Sequence, residues 1–286
     1  QRCRGSRAAA SSAAAGPPPS IAIGARAGGL DPAAPPAPVG LHFFSDAAFK
    51  PLRDQFVASV KDEGFALREE VVESLGVVPD RAAGGLPVYM FKTRLLLAAL
   101  EAARPGEVLV VSDVDIQFLR EVLPHVRAGI AGRDACFQRE FAELGVNIGF
   151  MALRRSGASL AFWRRVLEDI PRTGAHDQKI VNNLLYTGEA EEMGLRWGRF
   201  PPQLWASSQV FDGGAPPQDV ALHHANWISR PGTSWQAGGA GAADPAPKLR
   251  QLAEVGRLVL AGDAERLGRL AGELAADPAL AVYHSR

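Results

Sequence analysis

Apolar residues follow two different spacings along the middle of the chain, and these spacings predict alternating strands and helices. Short apolar runs bounded by polar or turn residues predict strands at residues 41–46, 66–72, 107–112, 136–139, 147–153 and 221–227. Apolar residues three and four positions apart predict helices at residues 49–63, 92–103, 160–170 and 177–186. Strands that alternate with helices in this order indicate an α/β fold with a single mixed, mostly parallel sheet flanked by helices.

The composition divides the chain into three parts. Residues 1–39 are dominated by Ala, Pro, Gly and Ser and cannot bury enough apolar surface to fold, so we expect a disordered linker or a leader remnant. Residues 40–237 hold the alternating strands and helices of one domain. Residues 238–286 begin with a linker and end with two predicted helices, near 248–260 and 264–275. We expect these helices to form a hairpin that packs on the domain or contacts a partner.

Charge and cysteine content exclude several classes of protein. The chain has 286 residues with 31 basic and 31 acidic side chains, and this balance argues against binding nucleic acid through a basic surface. Its two cysteines are too few for a disulfide scaffold or a structural zinc site. The sequence contains no run of about 20 apolar residues, so it predicts no membrane span in this chain.

The clearest chemical signal stands at the end of the most apolar predicted strand. Asp113 and Asp115 follow the strand at its carboxyl end, which is where open α/β sheets bind ligands. Side chains repeat every two residues along a strand, so both carboxylates point to the same side. Hard oxygen ligands of this kind suit Mg²⁺ or Mn²⁺. The pair therefore predicts a site for a divalent cation.

Two enzyme classes carry such a pair at the end of a strand. Phosphatases of the haloacid dehalogenase type have it on their first strand, with Thr or Val four residues after the nucleophilic Asp. Here the pair follows the third predicted strand and Gln117 stands at that position, which disfavours this class. The other class is the nucleotide-sugar glycosyltransferases with the GT-A fold, in which the pair holds a metal ion on the donor diphosphate. A non-catalytic sugar- or protein-binding module on a transferase scaffold is the third interpretation.

Asp177 begins a predicted helix and falls on the apolar side of it. The apolar stripe of this helix consists of Ile180, Val181, Leu184 and Leu185. At 100° per residue Asp177 lies near the middle of that stripe, so its carboxylate is aimed at the core. A buried carboxylate needs a partner or a ligand. The alternative is that Asp177 is the N-cap, whose oxygen accepts backbone N–H bonds.

His223 and His224 lie in the last predicted strand and must project to opposite faces. Only one of them can therefore reach a metal ion held by the Asp pair. An imidazole nitrogen beside carboxylates suits Mn²⁺ better than Mg²⁺. If neither histidine reaches the ion, both are core or surface residues.

Three further motifs bear on the choice between these classes. Residues 147–150 read Asn-Ile-Gly-Phe, residues 177–182 read Asp-Gln-Lys-Ile-Val-Asn, and residues 224–227 read His-Ala-Asn-Trp. With Lys92 ahead of the Asp pair, these motifs resemble those of the nucleotide-diphospho-sugar transferase family in order and spacing. The resemblance covers about residues 41–236. Within that family the motifs resemble those of the plant and algal rhamnogalacturonan xylosyltransferases and arabinosyltransferases.

The chain departs from the family pattern at one point. That family usually has Gly-x-x-Lys after the His-x-Asn-Trp motif, whereas here Gly232 is followed by Trp235. The late phosphate-binding lysine of the family therefore has no counterpart at this position.

The resemblance implies a GT-A fold and a role for each matching residue. The implied metal ligands, for Mn²⁺ or Mg²⁺, are Asp113, Asp115 and His224. The implied catalytic residues, beside the anomeric carbon of the donor sugar, are Asp177 and Gln178. The implied donor-binding residues are Lys92, Asp113, Asn147, Gly149, Asn182 and Asn226.

Some of these residues also suit simpler roles. Lys92 would fit the solvated start of an apolar helix, and Asn147 would fit a turn in which its side chain bonds local backbone. Gly149 is expected to be small because a side chain there would crowd a bound sugar.

The resemblance also implies the setting of the reaction. It implies a nucleotide-sugar donor, a polysaccharide or glycoprotein acceptor, and retention of the anomeric configuration. The natural location of such an enzyme is the Golgi lumen.

Overall fold

A computed structural model describes residues 37–45, 47, 49–60, 62, 64–71, 88–140, 145–209, 211, 215–226 and 245–275. The expectations for residues 1–36, for most of the linker after residue 237, and for Trp227, Gly232 and Trp235 lie outside these residues.

The described residues form nine strands and eight helices. The strands are β1 Val39–Ser45, β2 Phe65–Val71, β3 Val108–Ser112, β4 Ile116–Phe118, β5 Ala135–Arg139, β6 Val146–Arg154, β7 Trp197–Arg199, β8 Leu204–Ala206 and β9 Leu222–His224. The helices are α1 Lys50–Ser59, α2 Val88–Ala102, α3 Leu123–Ile130, α4 Gly157–Thr173, α5 Asp177–Thr187, α6 Glu189–Glu192, α7 Ala246–Ala261 and α8 Ala264–Ala275. Among these helices, none is both long enough and apolar enough to cross a lipid bilayer.

Six strands form the main sheet in the order β2-β1-β3-β6-β5-β7. β1 is parallel to β2 and β3, and β5 is parallel to β7, whereas β6 is antiparallel to both of its neighbours. This arrangement confirms the predicted mixed, mostly parallel sheet. The structure adds a second sheet, β4-β9-β8, to which the late predicted strand belongs.

The residues of β3 show how the main sheet is buried on both faces. Leu109 and Val111 pack into the hydrophobic cluster formed with α2, α4 and α5. Val110 points to the other face, into the cluster that contains Phe56 of α1 and Phe118 of β4. A strand covered on both faces reads as a continuous apolar run, which is why β3 was predictable from the sequence.

The direction of β6 brings three chain segments to one edge of the sheet. Because β6 runs antiparallel to β3 and β5, its first residues lie beside the carboxyl ends of both strands. The N–H of Asp113 donates to the carbonyl oxygen of Gly149 at 2.6 Å, and Gln138 pairs with Asn147. The pairing of β5 with β6 shifts register between Phe137 and Gln138, and such irregularities redirect side chains near functional sites.

Local signals also place the start of α5 at this edge. Ser156 caps α4, since its hydroxyl accepts from the N–H of Ser159 at 3.1 Å. The helix ends at Gly174, whose φ of 69° gives the left-handed conformation that glycine adopts easily. The chain then turns directly into α5, with His176 as its N-cap.

The two C-terminal helices form the predicted hairpin, and it packs on the second sheet. The shared apolar cluster contains residues of both helices and of the segments around β8 and β9: Leu119, Trp205, Val220, Val255, Leu258, Val259, Leu267 and Ala271. A Cβ atom on Gly256 of α7 would lie 3.0 Å from Oε1 of Gln117, so α7 lies very close to β4. This packing fixes the first turn of α7 near the end of β3.

Candidate functional site

Two carboxylates and one imidazole meet at the end of β3. Asp113, Asp115 and His224 each offer one ligand atom, and these atoms all lie within 4.8 Å of one another. The second sheet creates this proximity, because Ile116 pairs with His224 and the N–H of Ala225 donates to the carbonyl oxygen of Asp115 at 2.9 Å. The structure therefore brings together the three residues that the sequence predicted as metal ligands.

The orientation of His224 is fixed by Gln138 at the end of β5. The Nε2 of Gln138 donates to the carbonyl oxygen of Leu204 at 3.3 Å, so its Oε1 is the atom that accepts from Nδ1 of His224 at 3.0 Å. The other ring nitrogen of His224, Nε2, is directed at the two carboxylates and lies 3.2 Å from Oδ1 of Asp115 and 4.0 Å from Oδ2 of Asp113. A histidine held in this way is typical of a metal ligand, and the donor set fits a divalent cation.

His223 projects to the opposite face, as the strand pattern predicts. Its ring lies 4.2 Å from the ring of Trp205, and its Nε2 contacts the side-chain amide of Gln251 in α7 at 3.1 Å. Burial, together with the nearby His224, lowers the pKa of His223 to about 3. His223 is thus a neutral core residue that joins the second sheet to the hairpin.

Lys92 lies inside the site and is not a solvated lysine. Its Nζ donates to Oδ1 of Asp113 at 2.6 Å and to the carbonyl oxygen of Ile148 at 3.1 Å. Burial opposes its charge, but the carboxylates of Asp113, Asp177 and Asp115 outweigh this effect, so the pKa of Lys92 is raised. Lys92 therefore remains charged beside the candidate metal ligands.

A second lysine reaches the site from the C-terminal hairpin. The ammonium of Lys248 in α7 forms an ion pair with Oδ2 of Asp115. Burial opposes the charge of Asp115, but Lys248 and His224 outweigh it, so the pKa of Asp115 is lowered well below its ordinary value. No motif in the sequence indicates this contact.

Asp177 is buried at the start of α5, on the apolar side where the helical wheel puts it. The N-cap is His176, whose Nδ1 accepts from the N–H of Lys179 at 3.3 Å, so the capping alternative for Asp177 is wrong. Oδ1 of Asp177 does accept one backbone bond, from the N–H of Gln178 at 2.8 Å. Burial raises the pKa of Asp177 from 3.8 to about 6, although Lys92 opposes this rise.

Glu140, directly after β5, is fully buried and joins four polar side chains. Its Oε1 accepts from Asn147 at 3.2 Å, from the hydroxyl of Ser208 at 3.1 Å and from Asn226 at 3.4 Å. Its Oε2 accepts from the Nε2 of Gln178. Three of the sequence-predicted site residues therefore share one carboxylate that the sequence reasoning missed.

Gln178 and Asn182 are held against the first residues of β6. The Oε1 of Gln178 accepts from the N–H of Ile148 at 3.3 Å. The side chain of Asn182 accepts from the N–H of Val146 at 2.7 Å and donates to its carbonyl oxygen at 2.8 Å. The amide of Asn182 thus docks α5 on β6, and its predicted contact with the donor stays a prediction.

The structure gives a further reason for the small size of Gly149, besides the predicted crowding of a sugar. A Cβ atom there would lie 2.0 Å from Cε1 of His224 and 2.9 Å from Oδ1 of Asn147. The N–H of Gly149 donates to that same Oδ1 at 2.7 Å. A side chain at this position would therefore displace the candidate ligand His224, whatever sugar is bound.

Two of the missed residues had a readable signal. Gln138 and Glu140 stand two positions apart at the end of a predicted strand, in the same arrangement that singled out Asp113 and Asp115. The rule that found the Asp pair would have found them. Lys248 lies in a helix with no chemical motif around it, and only the packing of α7 reveals its role.

Comparison with known proteins gives a family match. The family model for nucleotide-diphospho-sugar transferases matches residues 86–232, which is more than half of the chain. A comparison with curated protein sequences found no match.

Solved glycosyltransferase structures resemble this chain at low sequence identity. The glycosyltransferase GlyE of Streptococcus pneumoniae TIGR4 is 10% identical with a TM-score of 0.48, and the alignment covers 78% of this chain and 62% of that one. A glycosyltransferase involved in glycosylation of the major capsid of PBCV-1 is 12% identical with a TM-score of 0.49, covering 76% and 100%. Mouse xyloside xylosyltransferase 1 is 11% identical with a TM-score of 0.39, covering 66% and 98%. The present chain thus spans 62% of the GlyE chain.

Proposed function

The chain belongs to the nucleotide-diphospho-sugar transferase family, and on this premise we propose that it moves a sugar from a nucleotide-diphosphate donor to a hydroxyl acceptor with the help of a divalent cation. The observation that carries this proposal is the cluster of Asp113, Asp115 and His224 at the carboxyl end of β3. The alternatives of a haloacid-type phosphatase and of a non-catalytic module have no comparable support from the family match.

The three clustered residues would hold the cation. When bound, it would neutralise the charge that grows on the departing nucleoside diphosphate. The imidazole of His224 favours Mn²⁺ over Mg²⁺, because Mg²⁺ prefers oxygen ligands alone. Gln138 occupies Nδ1 of His224, which leaves Nε2 as the ring atom that would bind the cation, and Lys92 holds Asp113 in place through a hydrogen bond.

Asp177 is our candidate for the carboxylate beside the anomeric carbon. It is buried next to the cation cluster and interacts electrostatically with both Lys92 and Asp113. Burial raises the pKa of Asp177, and perturbed groups of this kind concentrate in functional sites. Gln178 and Glu140 would position Asp177 by fixing the first turn of α5.

The finer features of the reaction rest on the resemblance of the motifs. We propose retention of the anomeric configuration, a polysaccharide or glycoprotein acceptor, and a location in the Golgi lumen. Asn147 and Asn226 remain candidates for donor contact on the strength of the motifs, and each also donates to Glu140.

A panel of nucleotide sugars tests the proposed function. UDP-, GDP- and dTDP-sugars are incubated with the protein and Mn²⁺, and release of the nucleoside diphosphate is measured with and without EDTA. We expect one donor to be cleaved in a metal-dependent manner. Hydrolysis of simple phosphomonoesters instead would favour the phosphatase, and sugar binding without any cleavage would favour the non-catalytic module.

A further inference from the structure

The C-terminal hairpin contributes a charged group to the site although it lies outside the segment that matches the family. The match ends at residue 232, whereas Lys248 stands in the first turn of α7. Its ammonium pairs with Oδ2 of Asp115, on the carboxylate whose other oxygen, Oδ1, faces His224. The lysine thus lies next to the place where a cation would bind, without using the oxygen that faces His224.

The packing of α7 fixes the position of this lysine. Leu252 and Val255 of α7 are fully buried, and Gln251 contacts His223 at 3.1 Å. Gly256 allows α7 to approach Gln117 closely, as described above. The helix that carries Lys248 is therefore anchored along its length, and its first turn is delivered to Asp115 by core packing.

The ion pairs of the site indicate what Lys248 is for. Lys92 pairs with Asp113 and Lys248 pairs with Asp115, and the two pairs share the same edge of the sheet. A divalent cation bound by Asp115 would weaken the attraction between this carboxylate and Lys248. The ammonium would then be able to pair with another anion beside the cation, and a diphosphate is such an anion.

Lys248 is also able to make more contacts than it has. An ammonium carries three N–H donors, and in the described part of the chain the recorded partner of Lys248 is Asp115. Its side chain keeps 22% exposure, while that of Asp115 keeps 11%. Free donors next to a cation site and open to solvent suit the oxygens of a phosphate group.

We propose that Lys248 binds the diphosphate of the nucleotide-sugar donor and that the C-terminal hairpin is part of the donor site. This proposal rests on the proposed function, since it assigns a residue to the leaving group of that reaction. The hairpin thereby becomes an element of the site as well as a packing unit.

Binding measurements on three variants test this proposal. Lys248→Met removes the charge, Lys248→Arg keeps it, and Arg250→Met removes a charge from an exposed position of the same helix. Calorimetry with saturating Mn²⁺ measures the affinities for inorganic pyrophosphate, UDP and GDP, with uridine and guanosine as phosphate-free controls. Binding of Mn²⁺ alone and thermal unfolding are measured for each variant.

For each diphosphate that the wild-type protein binds, we expect Lys248→Met to lower the affinity at least tenfold, or by about 1.4 kcal/mol. Nucleoside and Mn²⁺ affinities should not fall, Lys248→Arg should stay within about threefold of wild type, and Arg250→Met should be unchanged. Unchanged diphosphate binding by Lys248→Met would overturn the proposal, and so would an equal loss of Mn²⁺ affinity. If the wild-type protein bound none of the diphosphates, the proposed function itself would be wrong.

Discussion

At the scale of single residues, Gly149 shows how one missing side chain sets the place of another. The space that a Cβ atom would need is taken by the imidazole of His224, and the distance of 2.0 Å allows no such atom. Because His224 is also held by Gln138 and lies against Asp115, it has little room to move aside. The position of the candidate ligand thus depends on a glycine in a different sheet.

Gly149→Ala should therefore damage both the site and the fold. We expect Mn²⁺ affinity to fall at least tenfold and the free energy of unfolding to fall by about 1–3 kcal/mol, as is usual for overpacking. Manganese binding followed by EPR and urea unfolding measure the two effects. Gly157→Ala is the matched control, because nothing lies within 4 Å of its Cβ position. Equal behaviour of the two variants would contradict this account of Gly149.

Asp177→Asn should make the protein more stable and less active. Burial raises the pKa of Asp177 from 3.8 to about 6, so the folded state binds the proton more tightly than the unfolded state does. The free energy of unfolding therefore falls as the pH rises between these two values. The neutral amide avoids this loss, which amounts to roughly 3 kcal/mol at pH 7. We expect the variant to unfold at higher urea than wild type at pH 7.5, with the difference shrinking toward pH 4.

Turnover of the same variant separates function from structure. Asp177→Asn should retain donor binding while its turnover drops by two orders of magnitude or more, about the loss expected when a charged group beside the reacting atoms is neutralised. A less stable variant at pH 7.5 with normal turnover per folded molecule would show that Asp177 is structural.

The two adjacent histidines should respond differently to truncation. His224→Ala should raise the Mn²⁺ concentration for half-maximal activity by at least tenfold, since even the loss of a supporting hydrogen bond to a ligand typically has that effect. His223→Ala should lower stability, because it leaves a gap between Trp205 and Gln251, but should keep the metal dependence. The reverse ranking in a metal titration would move the ligand to His223.

At the scale of elements, Glu140 is the point where β5, β6, α5 and the residues after β8 and β9 are joined. The carboxylate accepts from donors of four side chains, and a glutamine there would offer one acceptor oxygen and two further donors. Each buried donor left without a partner costs about 1–3 kcal/mol.

Glu140→Gln should thus lower the free energy of unfolding by roughly 2 kcal/mol or more and reduce turnover through misplacement of Gln178. Glu101→Gln is a suitable control, since its ion pair with Arg164 is exposed and worth little. Urea unfolding of both variants decides the matter: a loss below about 0.5 kcal/mol in Glu140→Gln would contradict the role of this carboxylate as a junction.

Apolar spacing predicts a helix or strand only when the element is long enough to show its period. β3 and α5 were found for this reason, and so was the hairpin of α7 and α8. β4, β7 and β8 have three residues each, too few to show a period, so the second sheet could not be foreseen as a separate unit.

The site residues that lie at the end of a strand or within one were predictable from the sequence. Asp113 and Asp115 follow an apolar strand, and the alternation of β9 separates His224 from His223. The contact of Lys248 with Asp115 spans 133 positions and depends on how the hairpin packs. Sequence spacing carries no information about such a contact.

At the scale of the whole molecule, a balanced net charge hides a strongly charged site. The chain has equal numbers of basic and acidic side chains, yet at one edge of the main sheet two lysines pair with two aspartates in largely buried positions. The main sheet, the second sheet and the hairpin each supply part of this cluster. Asp115 follows β3 of the main sheet and contacts His224 of the second sheet and Lys248 of the hairpin. The central claim is therefore that Asp115 holds a cation needed for donor cleavage.

The most direct test compares Asp115→Asn with wild type on the cleaved donor over a range of Mn²⁺ concentrations. Asp219→Asn, an exposed position, is the control. We predict that wild type and control require Mn²⁺ and are inhibited by EDTA, whereas Asp115→Asn loses two to three orders of magnitude in turnover. Normal turnover by Asp115→Asn, or wild-type turnover that is unaffected by EDTA, would contradict the account.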